Sequence, residues 1–299
     1  MDFIQNLRTL VRVVDAGSFI RAAEQLDASN AAVTRQVAAL EKHLGARLLH
    51  RTTRKLSLTS AGEMFLEKAR QILADVAEAE SLAGGRRAQP HGTLRVSAPL
   101  SFGIAQLAGL LPTFRMRYPK LRLAIDLSDR VVDLVSDGID VAMRIAREIS
   151  PNLVARRIAP VRLIVCASPR YLDTHGTPQH PTDLAEHETF SYSYLSAGDT
   201  WQLFDQNGES VTVNIRPAVH ATNGEILREL ALAGGGIILQ PMFIVSEALK
   251  RGDLVPVLPQ WKAAELALYA VYPSRRHVAT KVRVFIDYLL EALGEKPRR

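Results

Sequence analysis

Residues 18–44 have the sequence SFIRAAEQLDASNAAVTRQVAALEKHL and decide the fold of the N-terminal part of the chain. Ser18 is a predicted N-cap for a short alanine-rich helix over residues 19–26, and Ser29 is a predicted N-cap for a longer helix. The apolar face of the longer helix contains Val33, Val37, Leu40 and Leu44. Between the helices, a tight turn is predicted in which Asp27 takes the left-handed conformation. Two helices joined by a turn of this length predict a helix-turn-helix.

Further elements are predicted on both sides of the helix-turn-helix. A first helix ends at Gly17, and its apolar residues at helical spacing are Phe3, Leu7, Leu10, Val11 and Val14. On the other side, residues 48–58 read LLHRTTRKLSL, in which apolar pairs flank a basic, threonine-rich tip. This pattern predicts a β-hairpin, or wing, with Leu56 and Leu58 facing inward.

Basic residues are concentrated near the N-terminus. Residues 1–60 carry nine Lys or Arg against five Asp or Glu, and the whole 299-residue chain has a formal net charge of +6. The pI calculated from the sequence is about 9.6. This charge favours a polyanionic partner, and its position beside a helix-turn-helix favours double-stranded DNA.

The predicted DNA-binding residues fall into two groups. The first turns of the longer helix supply predicted base-reading residues, which are Ser29, Asn30, Ala31, Thr34, Arg35 and Gln36. Arg can read guanine, Asn can read adenine, and Ala or Thr can contact the thymine methyl group. The wing supplies Arg51, Thr52, Arg54 and Lys55, which suit phosphates or the narrow minor groove. The alternative for each residue is a solvated helix face or a basic loop, but the ordered set favours DNA binding.

A long helix is predicted from Ser60 to about Leu82. Phe65, Ala69, Ile72, Val76, Ala79 and Ala83 follow heptad spacing along it. This spacing favours a dimerising helix, with a helix packed on its own domain as the alternative. Residues 84–92, GGRRAQPHG, predict a hinge. The expected domains are therefore residues 1–59 for DNA binding, residues 60–89 for the linker helix and hinge, and residues 90–299 for a third part.

The third part alternates predicted strands and helices, which is typical of an α/β fold. The predicted strands are Thr93–Ser97, Arg122–Leu127, Val141–Ile145, Leu163–Ala167, Val211–Ile215, Gly236–Gln240 and Leu266–Tyr272. The predicted helices are Gly103–Tyr118, Arg130–Ser136, Gly224–Ala233, Met242–Lys250 and Ala279–Leu293.

Several ordered segments resemble a known family. Residues 18–26, 32–41 and 44–54 resemble the DNA-binding domain of LysR-type transcriptional regulators, and residues 58–62 resemble the start of that family's linker helix. Residues 92–96 and 137–142 resemble stretches of its effector domain. Three matching blocks within sixty residues are a specific signal, and the likeness extends more loosely over the whole chain.

The resemblance implies a ligand-responsive regulator of transcription in the cytoplasm. It implies a homodimer or homotetramer on an imperfect palindromic operator, with RNA polymerase as a further partner. It also implies an effector domain of two lobes, like a periplasmic binding protein, with lobe I at residues 90–161 and 266–299 and lobe II at residues 162–265. The chain would cross between lobes near Ala159–Leu163 and Pro259–Leu266.

Two departures from the family pattern stand in the helix-turn-helix. Asn30 and Ala31 replace the Gln and the Ser or Pro that the family often has, so operator preference does not carry over. Asp27 replaces a glycine that is common in the turn, and the helix-turn-helix prediction is unchanged because Asp tolerates the left-handed conformation.

A predicted effector site lies where the two lobes would face each other. The candidate residues are Pro99, Leu100, Ser101, Phe102, Gly103, Arg144, Thr222, Asn223 and Gly235. Two predicted helix N-termini converge there, and free N–H groups at a helix N-terminus favour an anion such as a small carboxylate. Helix capping, a surface ion pair and a glycine turn are the alternative roles of these residues.

Enzymatic chemistry is not predicted. The eight histidines show no zinc-ligand spacing, and no nucleophile elbow or phosphate-binding loop is present, so no catalytic residue, metal or cofactor is expected. His175, His180 and His187 are predicted to be solvated in a proline-containing loop. Cys166 is the only cysteine, which excludes an intramolecular disulfide, and its apolar strand predicts a buried thiol.

No signal peptide or membrane-spanning segment is predicted, which favours the cytoplasm. Two other protein classes remain as alternatives. A transport-type binding protein would share the C-terminal fold, but the N-terminal helix-turn-helix argues against it. An architectural DNA-binding protein would lack an effector.

Overall fold

The computed structural model describes residues 2–51, 56–83, 90–130, 133–194, 198–273 and 278–294. The chain forms two compact units, Met1–Gln89 and Pro90–Arg299, each with its own hydrophobic core. In chain order, the first unit contains α1 (Phe3–Ala16), α2 (Phe19–Gln25), α3 (Asn30–Leu44), β1 (Leu49–Arg51), β2 (Leu56–Leu58) and α4 (Ser60–Ala83).

The helices of the first unit begin and end at the residues that the sequence predicts. Ser18 and Ser29 cap α2 and α3, and Ser29 Oγ accepts a hydrogen bond from the Ala32 backbone N–H at 3.2 Å. Gly17 ends α1 with a φ of +63°, and Asp27, between α2 and α3, has a φ of +49°. The predicted left-handed conformation of Asp27 is therefore confirmed, and α2 and α3 form a helix-turn-helix.

The β1–β2 hairpin is tied to α3 and α4 through the backbone of its first strand. Leu49 pairs with Leu58 in antiparallel register, as expected for a wing. Glu41 of α3 accepts hydrogen bonds from the Leu48 and Leu49 backbone N–H groups at 2.9 and 3.2 Å. In α4, a Cβ on Gly62 would stand 2.0 Å from the Leu48 carbonyl oxygen, so only glycine fits there.

Helix α4 packs on the core of its own unit over its first half. Ala69 is fully buried in that core, and Phe65 and Ile72 pack against the same cluster. The core of the unit therefore uses Ala69, as in the alternative of a helix packed on its own domain, while Phe65 and Ile72 are half-buried. The dimer seam along α4 stays a prediction. Farther along, Val76 is half-buried and Ala79 is exposed. The side chain of Ala83 lies outside the described residues.

The second unit contains strands on two large sheets. Its strands are β3 (Gly92–Ala98), β4 (Leu121–Leu127), β5 (Val141–Ala146), β6 (Val154–Val161), β7 (Leu163–Ala167), β8 (Thr189–Tyr192), β9 (Thr200–Phe204), β10 (Ser210–Asn214), β11 (Val219–Ala221), β12 (Ile237–Pro241), β13 (Val255–Pro256), β14 (Lys262–Ala263) and β15 (Leu266–Tyr272). Its helices are α5 (Leu100–Phe102), α6 (Ala108–Arg117), α7 (Pro169–His175), α8 (Gly224–Leu232), α9 (Met242–Arg251) and α10 (Thr280–Leu293). A π-helical segment, Gly103–Leu107, joins α5 to α6, and a 3-10 helix spans Pro181–Glu186.

Each large sheet forms the centre of one lobe. Lobe I is built on the five-stranded sheet of order β4-β3-β5-β15-β6. Lobe II is built on the five-stranded sheet of order β11-β8-β12-β7-β13, with a three-stranded sheet β10-β9-β14 beside it. The chain passes from lobe I to lobe II at Arg162, between β6 and β7. It returns at residues 264–265, between β14 and β15. Both passages fall inside the ranges that the sequence predicts.

The seven predicted strands of this unit all appear, within one residue at each end. Six more are present, of which β6 is the longest. Arg156, Arg157 and Pro160 interrupt its apolar pattern, which explains why the sequence did not reveal it. The predicted helix Arg130–Ser136 is wrong: residues 134–138 are turns, and Asp133 Oδ1 accepts from the backbone N–H groups of residues 135 and 136. Helix α7 was not predicted, because Pro169 at its first position reads as a loop residue.

The prediction that three histidines lie solvated in one loop is partly wrong. His175 is exposed but belongs to α7, where its ring stacks on Tyr171 with centroids 4.4 Å apart. His187 is half-buried, and its Nδ1 lies 3.1 Å from the Tyr171 hydroxyl. His180 is exposed and caps the 3-10 helix. The shared contact with Tyr171 gives His175 and His187 a packing role.

A buried ion pair fastens the last helix to the sheet of lobe I. Lys281 Nζ of α10 lies 2.7 Å from Asp140 Oδ2 and donates to the Thr93 carbonyl at 2.9 Å. The two charged side chains are only 7% and 16% exposed. Asp140 also accepts from the Arg95 backbone N–H, so one carboxylate joins β3, the start of β5 and α10.

Replacing Lys281 with Met should destabilise the second unit by about 3 kcal/mol, because it leaves the Asp140 charge buried without its cation. Urea unfolding followed by tryptophan fluorescence measures this, since both tryptophans, Trp201 and Trp261, lie in the second unit. Lys250→Met is the matched control, because Lys250 pairs with Glu247 in solvent and should change the midpoint little. Equal shifts of the urea midpoint in Lys281→Met and Lys250→Met would contradict a structural role of the buried ion pair.

Candidate functional site

The N-terminal turns of α3 expose the predicted base-reading residues. Its apolar face is buried against α1 and α2, which turns the opposite face outward. Among the predicted residues, Ser29, Asn30, Ala31 and Arg35 are exposed, and Thr34 and Gln36 are half-buried. The exposed group combines an amide, a guanidinium and a small apolar side chain within two helical turns. These are the side-chain types that read base edges in the major groove.

Gln36 is anchored to α1 as well as lying on this surface. Its Oε1 is 2.7 Å from Oγ1 of Thr9, which is fully buried and also lies 2.9 Å from the Gln5 carbonyl oxygen. A threonine hydroxyl donates only one proton, so the Gln36 amide either accepts it or, turned over, donates to Thr9. Both arrangements hold α3 against α1, so Gln36 positions the helix.

The wing is only partly described. Arg51 is the last residue of β1. Its side chain and the predicted phosphate-contacting residues Thr52, Arg54 and Lys55 lie outside the described residues.

A cavity of about 760 Å³ lies between the two lobes of the second unit. Of the predicted effector residues, Pro99, Ser101, Phe102 and Arg144 line it. The other described candidates, which are Leu100, Gly103, Thr222, Asn223 and Gly235, are not among its lining residues. The sequence analysis missed further polar lining residues, among them Asp129, Asp133, Glu148, Ser191, Tyr192 and Gln240.

The candidates outside the lining have packing or capping roles. Asn223 Oδ1 caps α8 by accepting from the Glu225 backbone N–H at 3.0 Å. A Cβ on Gly103 would stand 2.3 Å from the Leu127 side chain, and one on Gly235 would stand 2.9 Å from the Phe190 ring. Thr222 is exposed. Asn223 therefore has the capping role that was the alternative, and close packing requires glycine at positions 103 and 235.

Three buried polar atoms on the cavity wall have no hydrogen-bond partner in the part of the chain that the structure describes. They are Arg144 Nη2, Ser191 Oγ and Gln240 Nε2. Gln240 and Ser191 are each 2% exposed. Their signal in the sequence was a polar residue at the end of an apolar strand, as in residues 237–240, IILQ. Unpaired buried polar groups are costly, so this wall is suited to a polar ligand.

A carboxylate of the chain itself stands where the sequence predicted an anionic ligand. Ser101 Oγ donates to Glu225 Oε2 at 2.5 Å, which joins the α5 end of lobe I to the start of α8 in lobe II. Gly224 lies beside them, and a Cβ on it would stand 2.8 Å from Gln240 Oε1. The convergence of the two helix starts is therefore occupied by Glu225.

Ionisable groups on the cavity wall have shifted pKa values because they are buried and lie close to one another. Desolvation raises the pKa of Asp129, although hydrogen bonds from the Leu100 backbone N–H and the Tyr192 hydroxyl act in the opposite direction. Burial raises the pKa of the Tyr192 phenol, and nearby Asp129 raises it further. Burial lowers the pKa of Arg144, against the attraction of Asp129 and Asp126. Arg144 is the only basic side chain among the described lining residues.

The described residues contain neither a metal centre nor a helix that spans a membrane. No group of three or more His, Cys, Asp or Glu is placed there to hold a metal ion. No helix among them is both long and apolar enough to span a membrane. Cys166 is buried, and desolvation raises its thiol pKa to about 12.

Comparison with known sequences identifies both units. The LysR substrate binding domain matches residues 87–294, and the bacterial regulatory helix-turn-helix protein, lysR family, matches residues 4–63. HTH-type transcriptional regulator CrgA of Neisseria meningitidis serogroup C (strain 8013) is 38% identical over 291 residues, which cover 97% of each chain. HTH-type transcriptional regulator DmlR of Escherichia coli (strain K12) is 35% identical over 299 residues, covering 99% of this chain and 96% of that protein.

Comparison with solved structures identifies the same family. The structure of CrgA from Neisseria meningitidis has a TM-score of 0.61 at 38% identity and covers 97% of this chain and 99% of that one. Full-length AphB, the Vibrio cholerae virulence activator, has a TM-score of 0.59 at 32% identity, covering 96% and 98%. A helix-turn-helix domain joined to a two-lobed effector-binding domain defines a DNA-binding transcriptional regulator. The chain belongs to the LysR family of these regulators.

Replacing Asp129 with Asn should raise the unfolding temperature at about pH 7.5, and the gain should shrink toward about pH 4. The pKa of Asp129 is raised in the folded state, so folding favours its neutral form. Stability from that form is present at low pH and is lost as pH rises through the folded-state pKa. Asn stays neutral throughout and still accepts from Tyr192. Thermal unfolding across this pH range measures the difference in unfolding temperature between Asp129→Asn and the unchanged protein. Asp173→Asn, at an exposed site on α7, controls for loss of a charge. A difference in unfolding temperature that does not change with pH would contradict a raised pKa of Asp129 in the folded state.

Proposed function

We propose that this LysR-family regulator reads its operator through the exposed N-terminal turns of α3. The observation that carries the proposal is the orientation of α3, whose apolar face is buried while Asn30, Ala31 and Arg35 stand in solvent. Thr34 and Gln36 complete the base-reading group, and Ser29 caps the helix where it approaches DNA. Arg51, Thr52, Arg54 and Lys55 of the wing contact phosphates or the minor groove.

We propose that the protein acts as a homodimer or homotetramer. Two recognition helices would then enter successive major grooves about 34 Å apart, which suits an imperfect palindrome. The part of α4 that supports self-association is its second half, where Val76 and Ala79 are not buried in the core of their own unit.

The small-molecule effector of this regulator binds in the cavity between lobes I and II. The unpartnered donors on Arg144 and Gln240 support a ligand that brings acceptor oxygens, such as an organic anion. Ser101 and Phe102 form the lobe I wall beside it. An effector shifts the arrangement of the lobes only by as much as its affinity differs between the two arrangements.

The remaining proposals follow from this role. The protein works in the cytoplasm, where its DNA is, and RNA polymerase is its partner in transcription. It needs no catalytic residue, metal or cofactor. Residues 1–59 bind DNA, residues 60–89 link and dimerise, and residues 90–299 sense the effector, with lobe I at 90–161 and 266–299 and lobe II at 162–265.

Replacing Arg35 with Ala should weaken operator binding about 10- to 100-fold and relax the preference for one base pair, because a bidentate base contact is lost. Site selection from random DNA followed by fluorescence anisotropy measures both effects. Lys42→Ala removes the same charge from the exposed last turn of the same helix, and should lower affinity slightly without changing preference. Unchanged base preference in Arg35→Ala would show that α3 does not read DNA in this way.

Introducing a charge at Val76 should lower the mass of the protein in solution toward that of a smaller oligomer. Val76→Glu places a carboxylate in the proposed contact between two α4 helices, where desolvating it is costly. Light scattering coupled to size exclusion measures the mass. Met64→Glu makes the same change at a position of α4 that is 71% exposed, before the proposed contact, and should leave the mass unaltered. An unaltered mass in Val76→Glu would exclude this part of α4 as the dimer contact.

A further inference from the structure

Arg144 of β5 is the basic side chain that lines the inter-lobe cavity in the described part of the chain. Its Nη1 donates to the Met143 carbonyl at 3.2 Å, whereas Nη2 is buried and lacks a partner among the described residues. Asp129 is near enough to favour the charged guanidinium but accepts its hydrogen bonds from Leu100 and Tyr192. A carboxylate is the group that best satisfies a guanidinium edge, because it accepts two parallel hydrogen bonds.

The other unpartnered atoms require the same kind of ligand. Gln240 Nε2 is a donor, and the hydroxyl of Ser191 can donate as well as accept. The ligand must therefore bring acceptor oxygens to this wall. The helix starts near Ser101 do not compete for that carboxylate, because Glu225 already accepts from Ser101.

The rest of the wall is apolar. Its large apolar residues include Phe102, Leu134, Ile149, Leu153, Trp201, Phe243 and Ile244. Several apolar side chains that line the cavity are also open to solvent, which is unusual for residues of this type. Val135 is 70% exposed, and Leu153 and Tyr194 are each 44% exposed. A ligand with an apolar body would cover these side chains and remove their surface from water.

The charges on the wall limit how much charge the ligand can carry. Arg144 is the only cation among the described lining residues, while Asp129, Asp133 and Glu148 are acidic. A second carboxylate on the ligand would meet acidic side chains without a further cation to pair with. An ammonium group could pair with those acids, but it would leave the buried donors of Arg144 and Gln240 without a partner.

We infer that the effector is an amphipathic monocarboxylic acid, whose carboxylate pairs with Arg144 and whose apolar body lies along Leu134, Ile149 and Leu153. This inference rests on the proposed function, since it specifies the ligand of the proposed effector cavity. Gln240 and Ser191 supply the remaining hydrogen bonds to the acid oxygens. The cavity, at about 760 Å³, has room for a body of eight or more carbon atoms or an aromatic ring.

Calorimetry on the full-length protein tests the inference with defined probes. Octanoate and 3-phenylpropionate should bind at least about tenfold more tightly than their neutral amides, octanamide and 3-phenylpropanamide. Suberate and octylamine, with two carboxylates and one amine, should also bind at least about tenfold more weakly than octanoate. From butyrate to octanoate the affinity should rise about fourfold for each added methylene.

Two variants locate the carboxylate. Arg144→Met should lose at least about tenfold in octanoate affinity while octanamide binding stays the same. Arg147→Met is the matched control, because Arg147 is exposed near the same strand end and does not line the cavity, and it should keep full octanoate affinity. The fluorescence of Trp201, which lines the cavity, reports occupancy independently. Should Arg144→Met fail to fold, the ratio of octanoate affinity to octanamide affinity on the unchanged protein still tests whether the ligand is recognised as an acid.

The outcomes separate the inference from the proposed function. Specific DNA binding is measured on the same preparation with operators selected from random sequence. Amides that bind as well as the acids, or tighter binding of octylamine, would overturn the acid assignment while leaving operator binding intact. Absence of any binding by the two acids would also overturn it. Failure to select any DNA sequence would overturn the proposed function, regardless of whether octanoate and 3-phenylpropionate bind.

Discussion

The double passage of the chain between lobes I and II is the constraint on which the effector domain depends. Because β6 leads into β7 through Arg162 and β14 leads into β15 through residues 264–265, lobe II is one continuous segment inserted between two segments of lobe I. The sheet of lobe I closes only when β15 returns from lobe II and pairs with β5 and β6. The same two connections leave a space between the sheets, and the cavity occupies it.

Two pairs of a hydroxyl and a carboxylate face each other across that cavity. Ser101 of lobe I donates to Glu225 of lobe II, and the Tyr192 phenol of lobe II lies close enough to Asp129 of lobe I to affect its pKa. Each pair places an acid on the lobe opposite its donor, so separating the lobes would leave both acids to water. Such bonds contribute modestly where water can replace them and more where it cannot. A ligand carboxylate beside Asp129 would repel it, so the proposed effector binding would be coupled to the Asp129–Tyr192 contact.

The sequence predicted the first unit well because its signals are local. A capping serine, the turn at Asp27 and the apolar spacing of α3 each act within a few residues, and the structure has all of them. Lobe II was predicted less completely. Pro169 opens a helix there, and in lobe I the strand β6 carries two exposed arginines, so local pattern and final structure disagree in both places. The cavity residues Asp129, Ser191 and Gln240 come from three separate segments, and only the tertiary fold brings them to one cavity.

Helix α4 shows why a repeat in sequence does not by itself identify a partner. Apolar residues every three or four positions make one continuous face, and that face is satisfied equally by a neighbouring helix or by the core of the same domain. Ala69 is fully buried inside its own unit, so that position of the face is already used. Phe65, Ile72 and Leu73 pack on the same core but keep part of their surface. Self-association is therefore best argued from Val76 and Ala79, which are not part of that core and whose surface a second chain would bury.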